Sequence, residues 1–409
     1  MKRLLLSILF ILIKSWNGYS QQEISGEEKT NELTPSAIST ELNSFSPPHE
    51  EKLEIKPLGR ILLDAGIFYA NEYKDKFVSG VAIPDVRTGM GIYYGKWKGK
   101  IDIAYAYGKI TPKDIFLEYK FNKQNLLRGG FFVHQFGLQS STSSSFKVSM
   151  EEPQSNQAFF NSRLLGLMFV HNKDNFFGTL SIFAENETIQ SSSDKIGNEG
   201  YGMMSRLLYR PLREKGNILH IGISGSFESP RYNSDPSINH SFFRLKTNFP
   251  TRIARVTAQS AEIIDAKMLY KCTPELVFAK NKLGFETQYY YLTINRKNGA
   301  TNYQASGFYT LVRGLIRGDS YTYSENDGGI KLPSSGSLEL VFDYNYTDLS
   351  DHKINILGGR LNDFSLVFNY YINKYMIWRV RGSYTTVTDR ANFLNTNVSL
   401  IETRLQFKF

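Results

Sequence analysis

The chain of 409 residues contains a single cysteine, Cys272, and only six histidines. One cysteine cannot build a disulfide framework or a multi-cysteine metal site, and no two histidines stand at metal-ligand spacing. No stretch reaches the roughly 20 consecutive apolar residues that a membrane-spanning helix needs. The sequence therefore predicts no metal, no cofactor and no helical anchor.

Catalytic motifs are equally scarce. The nearest arrangement is Asn239-His240-Ser241, where one histidine adjoins one serine. Some barrel lipases use serine and histidine, but the residues at 234–239 have the composition of a turn. We predict that the chain is not an enzyme.

The N-terminus predicts secretion. Lys2 and Arg3 precede the apolar run at 4–13, and Gly18-Tyr19-Ser20 offers the small residues that a signal peptidase reads. The alternative, a membrane anchor, requires a longer run. We expect a signal peptide at 1–20, a flexible periplasmic tail at 21–56, and a folded domain at 57–409 in the outer membrane. Secretion also argues against nucleic acid as the partner of this basic chain.

Aromatic residues are abundant, at 14% of the chain, and they recur in segments of period two. The last segment is the clearest. One face carries Ile401, Thr403, Leu405, Phe407 and Phe409, and the other carries Glu402, Arg404, Gln406 and Lys408. Such a strand fits either a soluble sheet or a membrane barrel with the apolar face in lipid and the charged face in a watery lumen.

Similar alternation recurs at 61–69, 101–107, 115–121, 219–227, 338–346 and 376–384. Connectors alternate between short and long. The short ones lie at 96–100, 122–125, 171–175, 280–282 and 373–374, and the long ones at 71–85, 136–161, 186–199, 229–262, 295–302, 349–360 and 387–397. This pattern predicts an all-β fold, a transmembrane antiparallel β-barrel of 16 strands with both chain ends in the periplasm. The segment 318–335 departs from it, since it is long at the short-turn end.

Several segments, in order, resemble the phosphate-selective porin O/P family. They include Ile115-Phe116-Leu117-Glu118-Tyr119-Lys120-Phe121, Gly129-Gly130-Phe131, Gln135-Phe136-Gly137-Leu138, Arg206-Leu207-Leu208-Tyr209-Arg210-Pro211, and Glu402-Thr403-Arg404-Leu405-Gln406-Phe407. The resemblance covers most of 60–409. It implies a homotrimeric, 16-stranded outer-membrane pore for small anions, phosphate among them.

Charge is unevenly distributed. Of the 48 Lys and Arg residues, six lie in 1–56, as do eight of the 39 Asp and Glu residues, so 57–409 carries 42 against 31. Strand parity assigns several cations to the lumen: Arg206, Arg210, Lys267, Lys271, Arg379, Arg381 and Arg404. We predict that these groups replace the hydration of a passing anion. The alternative is that they only solvate the wall and balance its acids.

Two long loops are predicted to narrow the pore. The loop at 136–161 has Lys147 as its only cation, and Gln139-Ser140 stands where the family resemblance implies an acid and a lysine. The loop at 229–262 carries Arg244 and Lys246, whose alternate spacing resembles the family's cation-rich loop. The predicted function is passive diffusion of small anions, for which the family resemblance implies phosphate or polyphosphate as the substrate. A less selective solute porin and a non-transport barrel, serving adhesion or assembly, remain open.

Overall fold

The computed structural model describes residues 52–160, 163–184, 200–230 and 241–409. The alternating segments form strands because each buries one face inside a barrel and leaves the other for the surrounding medium. The barrel strands are β1 (Glu54–Ala70), β2 (Gly80–Tyr94), β3 (Trp97–Ala106), β4 (Lys109–Lys120), β5 (Asn125–Phe132), β6 (Leu164–Lys173), β7 (Phe176–Ala184), β8 (Tyr201–Glu214), β9 (Asn217–Glu228), β12 (Ala266–Lys280), β13 (Leu283–Arg296), β14 (Tyr303–Arg317), β17 (Leu338–Asp351), β18 (Ile356–Tyr371), β19 (Met376–Arg390) and β20 (Thr396–Lys408).

These 16 strands form one closed antiparallel barrel, so the predicted fold class is confirmed. The first and last barrel strands close it, with Arg60 opposite Lys408 and Ala70 opposite Val398. The terminal residue extends this seam, because Phe409 N donates to Gly59 O at 3.1 Å and Gly59 N donates to Phe409 O at 3.0 Å. Full closure leaves no unpaired strand edge for lipid to meet.

Six short turns lie at one end of the barrel, and β1 begins at that same end, at Glu54, although the two-residue turn between β3 and β4, at 107–108, lies at the other end. By the usual arrangement of outer-membrane barrels the end with the six short turns faces the periplasm. Two predicted boundaries need correction: residues 54–56, predicted as tail, belong to β1, and 96–100 is not a turn. The turn is only Gly95–Lys96, and β3 begins at Trp97. Within the described ranges, no helix has the length and apolar character to span a membrane.

Three segments enter the interior of the barrel. The first, between β5 and β6, contains two short helices, Gly137–Ser141 and Gln154–Phe159. The second, between β9 and β12, contains the hairpin β10 (Phe243–Asn248) and β11 (Thr257–Ile263). The third, between β14 and β17, contains β15 (Tyr323–Ser324) and β16 (Gly329–Ile330). A 3₁₀ turn, His352–Ile354, joins β17 to β18.

The third segment explains the long connection at 318–335. Its Tyr321 and Tyr323 are buried in a cluster with Leu138 of the first segment and with Val277 of the wall. The connection is therefore long at the periplasmic end because it fills space inside the barrel, which explains why it departs from the pattern of short turns there.

Much of the remaining core lies between the other segments and the wall from β12 around to β1, and two smaller clusters lie at β5 to β8. Val148 and Phe159 of the first segment pack in one cluster with Tyr290, Tyr309 and Val341 of the wall. The second segment contributes to another cluster that includes Phe249, Ala258, Leu361, Val387 and Val398. The predicted signal peptide and most of the predicted tail lie outside the described residues, as do Asn239 and His240.

Candidate functional site in the barrel lumen

The lumen is where the predicted anion path must lie, and Arg404 of β20 illustrates what happens to most of its arginines. Its guanidinium donates to Asp64 at 2.6 and 2.7 Å and to Glu151 of the first in-folded segment at 2.5 Å. Its other terminal nitrogen donates to Met150 O at 2.8 Å. Arg404 points inward as predicted, but it is buried and its donors bind the protein itself.

Glu151 also bonds Arg252 of the second segment, at 3.0 Å. Burial raises the pKa of Glu151, but Arg252 and Arg404 outweigh that effect and lower the pKa to about 2. Asp64, Glu151 and Glu402 lie close enough to one another to resemble a metal-ligand cluster. The Arg404 guanidinium already provides the positive charge there, so the cluster serves as an ionic joint between two loops and the wall.

Arg379 and Arg381 of β19 also face inward and are both 2% exposed. Arg381 donates to Asp363 at 2.9 Å and to Pro250 O of the second segment. Arg379 donates to Gln406 at 3.1 Å, and its other nitrogens have no protein partner among the described residues. Parity predicted the direction of both side chains, but the in-folded segments cover them.

Arg206 and Arg210 of β8 hold the third segment. Arg206 pairs with Glu275 at 2.5 Å and donates to Asp327 O at 2.7 Å, while Arg210 donates to the carboxylate of Glu325 at 3.3 Å. The same joint includes His220, whose Nε2 lies 2.7 Å from Glu275. These arginines anchor a loop, with no accessible surface of their own.

The two lysines predicted on β12 differ. Lys271 is buried and paired with Glu228, as its inward parity predicts. Lys267 is exposed, so its predicted lumen-facing orientation is wrong. The register shifts between Ala266 and Met268. This bulge reverses the alternation of inward and outward side chains in the residues that precede Leu269 in the sequence.

The loop cations occupy opposite extremes of exposure. Arg244 and Lys246 lie on the exposed face of the β10–β11 hairpin, and Arg244 is 57% exposed while paired with Glu262. Lys147 is buried, and its ammonium donates to the side chain of Gln139 at 2.9 Å and to the Gln139 carbonyl. Burial lowers the pKa of Lys147, because the charged form loses its hydration.

The water-accessible side of the lumen is the wall from β2 to β5. Inward residues of β8 through β20 are almost all buried, whereas many of the corresponding residues of β2 to β5 are partly exposed. The in-folded segments pack chiefly against the far wall, which leaves this side open to water.

Basic side chains follow that open side, and we name six of them the cation row: Arg87, Lys98, Lys100, Lys113, Arg128 and Arg163. Arg87 and Arg163 are each 15% exposed, and Lys100 and Arg128 are each 24% exposed. On β3, Lys98 lies near the periplasmic turn, and Lys100 lies two residues further from that turn along the barrel axis. Arg87 of β2 is opposite Ala104, further toward the other end. The row thus extends along the barrel axis.

Acids interleave with the cation row. Lys100 and Arg163 share Asp114, at 2.7 and 2.8 Å, and Arg128 pairs with Glu118 at 2.5 Å. Lys113 differs, because no described carboxylate lies within ion-pair distance of it. Its electrostatic neighbours include the cations Arg163, Arg87 and Arg252 as well as Asp102. Each of these three arginines is paired with an acid, so Lys113 is the member of this group that lacks an acidic partner among the described residues.

The sequence contained the pattern that identifies this row. Lys98 and Lys100 continue the parity of Asp102 and Ala104, opposite Ile101 and Ile103. Interpreting 96–100 as a turn removed both lysines from consideration. Lys113 lies where the register shifts between β3 and β4, and Arg163 lies just before β6, so neither could be placed by parity.

A closed, 16-stranded barrel with an apolar outer surface and a charged, partly water-accessible interior has the architecture of an outer-membrane channel. Sequence comparison identifies which one. The profile of the family described as phosphate-selective porin O and P matches residues 92–409. The chain belongs to this family, and it is an outer-membrane porin.

Solved structures show the same fold at low identity. Outer-membrane-expressed OmpT of Vibrio cholerae has 9% identity and a TM-score of 0.55, with 88% of this chain and 99% of that chain covered. A trimer form of in-vitro folded OmpT has 9% identity and a TM-score of 0.54, covering 87% and 99%. A loop L8 deletion mutant of OmpT has 10% identity and a TM-score of 0.53, covering 87% and 99%. No curated protein sequence matches the chain.

Proposed function

We propose that this porin conducts small inorganic anions, with phosphate as the preferred class, and that they pass along the cation row. The observation that carries the proposal is the placement of partly exposed Lys and Arg side chains, four of them 15–24% exposed, along one side of the lumen. An anion that sheds part of its hydration there meets several donors in succession. The excess of cations in 57–409 and the family's description favour the same polarity.

The buried arginines have a different role in this proposal. Arg206, Arg210, Arg381 and Arg404 hold the in-folded segments in place, so they set the width of the pore. Arg244 and Lys246 are exposed and attract anions at the second segment.

A second candidate is a general porin for small solutes. It is favoured by the acids of the same wall, since Asp114 and Glu118 each neutralise a neighbouring cation and reduce the net field. Such a pore would discriminate weakly between anions and cations.

The zero-current potential of the reconstituted protein in a potassium chloride gradient separates these candidates. The proposal predicts a potential of the sign that anion preference gives, and partial block of the chloride current when phosphate is added. A potential near zero favours the general porin. A potential of the opposite sign, or an absence of phosphate block, contradicts anion or phosphate preference respectively.

We also propose that the barrel assembles as a homotrimer. The family resemblance implies this state, and one structure with the same fold is described as a trimer form. Mass measurement of the detergent-extracted native protein tests it, and a monomeric mass would contradict it.

A further inference from the structure

The short-turn end of the barrel is ringed by lysines that the pore does not use. Each of six short turns has at least one exposed lysine, either in the turn or at the strand end beside it. These residues, which we name the lysine rim, are Lys96, Lys123, Lys173, Lys215, Lys280, Lys282 and Lys374. Within these six turns and their immediate flanks the acids are only Asp174 and Glu214, and Lys215 also pairs with Asp319 of the long connection at this end.

Outward aromatic side chains accompany the rim. Trp97, Phe121, Phe176 and Tyr375 are each 41–63% exposed and lie beside or within a few residues of a rim lysine. The Lys374 ammonium lies 4.8 Å from the centre of the Tyr375 ring. Aromatic side chains of this kind mark the boundary between lipid tails and headgroups. The rim lysines therefore lie at the depth of the headgroups.

The opposite end of the barrel lacks such a bias. Its described connections mix signs: Lys74 and Lys76 stand beside Glu72 and Asp75, and Lys353 stands close to Asp351. A general need for solubility would not confine a lysine excess to one end. A negatively charged surface that faces all of these turns would favour a lysine excess at this end.

We propose that the lysine rim binds the phosphate headgroups of anionic phospholipids in the inner leaflet of the outer membrane. A lysine stem can lie along the apolar boundary while its ammonium reaches a headgroup phosphate. Because the turns encircle the barrel, the rim forms an annular binding surface. It holds the barrel at a fixed depth and binds anionic lipid independently of what crosses the pore.

The test compares lipids bound to the full-length protein after mild detergent extraction from mixed vesicles of phosphatidylcholine and phosphatidylglycerol. The wild-type protein should be enriched in phosphatidylglycerol, about fivefold for each strong contact at low salt, and high salt should reduce that enrichment. The rim variant K96Q/K173Q/K280Q/K282Q/K374Q should lose it. The matched control K74Q/K76Q/K109Q/K297Q/K353Q removes five lysines toward the opposite end and should retain it.

A charge-preserving variant, with arginine at the same five rim positions, distinguishes loss of charge from loss of folding. It should retain the enrichment, and all variants should run as folded, heat-modifiable barrels. Equal loss in the rim and control variants, or no enrichment in the wild type, would overturn the proposal. Rim-dependent binding to peptidoglycan sacculi without any preference for phosphatidylglycerol would overturn it as well.

Discussion

At the scale of single residues, direction and accessibility are separate properties. Strand parity correctly gave the inward direction of Arg379, Arg381 and Arg404, because period two is a local feature. It could not give their burial, which depends on loops more than 100 residues away in sequence, such as the one that supplies Glu151. It also failed at Lys267, because a bulge is not visible in an alternating pattern.

The ionic joint at Arg404 yields the first prediction. Arg404→Gln leaves Asp64 and Glu151 without their shared partner, so we expect the barrel to lose about 3–5 kcal/mol of stability. Urea unfolding of the detergent-solubilised protein measures the loss. The matched control, Arg360→Gln, removes a 42% exposed arginine and should cost no more than about 1 kcal/mol. Equal midpoints for both variants would show that the joint contributes nothing.

At the scale of elements, the strands were predictable and the in-folded segments were not. The closing strand was evident from its alternation between Ile401 and Phe409, and the barrel pairs it with β1. The hairpins β10–β11 and β15–β16 are short, and their partners are remote wall strands. Their positions follow from tertiary packing, which local sequence patterns do not contain.

The seam between β1 and β20 gives the second prediction. A side chain at Gly59 would overlap the ring of Phe409. We expect Gly59→Leu to displace Phe409 and to lower stability by about 1–3 kcal/mol, with less heat-modifiable barrel in the outer membrane. Gly80→Leu is the control, since open space surrounds the position of its Cβ. Normal assembly of the Gly59 variant would rule out a role for this contact.

The third segment gives the third prediction. Replacing 320–335 by a short glycine linker removes Tyr321, Tyr323 and the two backbone carbonyls, of Asp327 and Gly328, that accept from Arg206. Single-channel conductance should rise, because the segment occupies the lumen, and thermal stability should fall. Shortening the exposed connection at 298–301 is the control and should change neither. Unchanged conductance after removal of 320–335 would show that this segment does not restrict the path.

At the scale of the whole molecule, the composition and the order of connectors were enough to predict a closed barrel of 16 strands. Such averages cannot reveal which side of the lumen stays open. That depends on where three segments pack, and they pack chiefly against the wall opposite Lys100 and Lys113. The path proposed from the structure therefore differs from the one predicted from the arginines of β19 and β20.

The fourth prediction concerns the chain before the barrel. The basic start, the apolar run at 4–13 and Gly18-Tyr19-Ser20 predict a mature N-terminus at Gln21. Mass analysis of protein extracted from the outer membrane should show this terminus. Protein that retains Met1 would contradict the prediction.

The measurement that tests the central proposal most directly is the zero-current potential of two matched triple variants beside the wild type in a salt gradient. K98Q/K100Q/K113Q removes three charges from the cation row. K74Q/K109Q/K353Q removes three exposed lysines outside the row, at the end of the barrel that carries the long connections. We predict a shift toward cation preference in the first variant only, with both barrels folded and conducting. Equal potentials in the two variants would show that the cation row does not define the anion path.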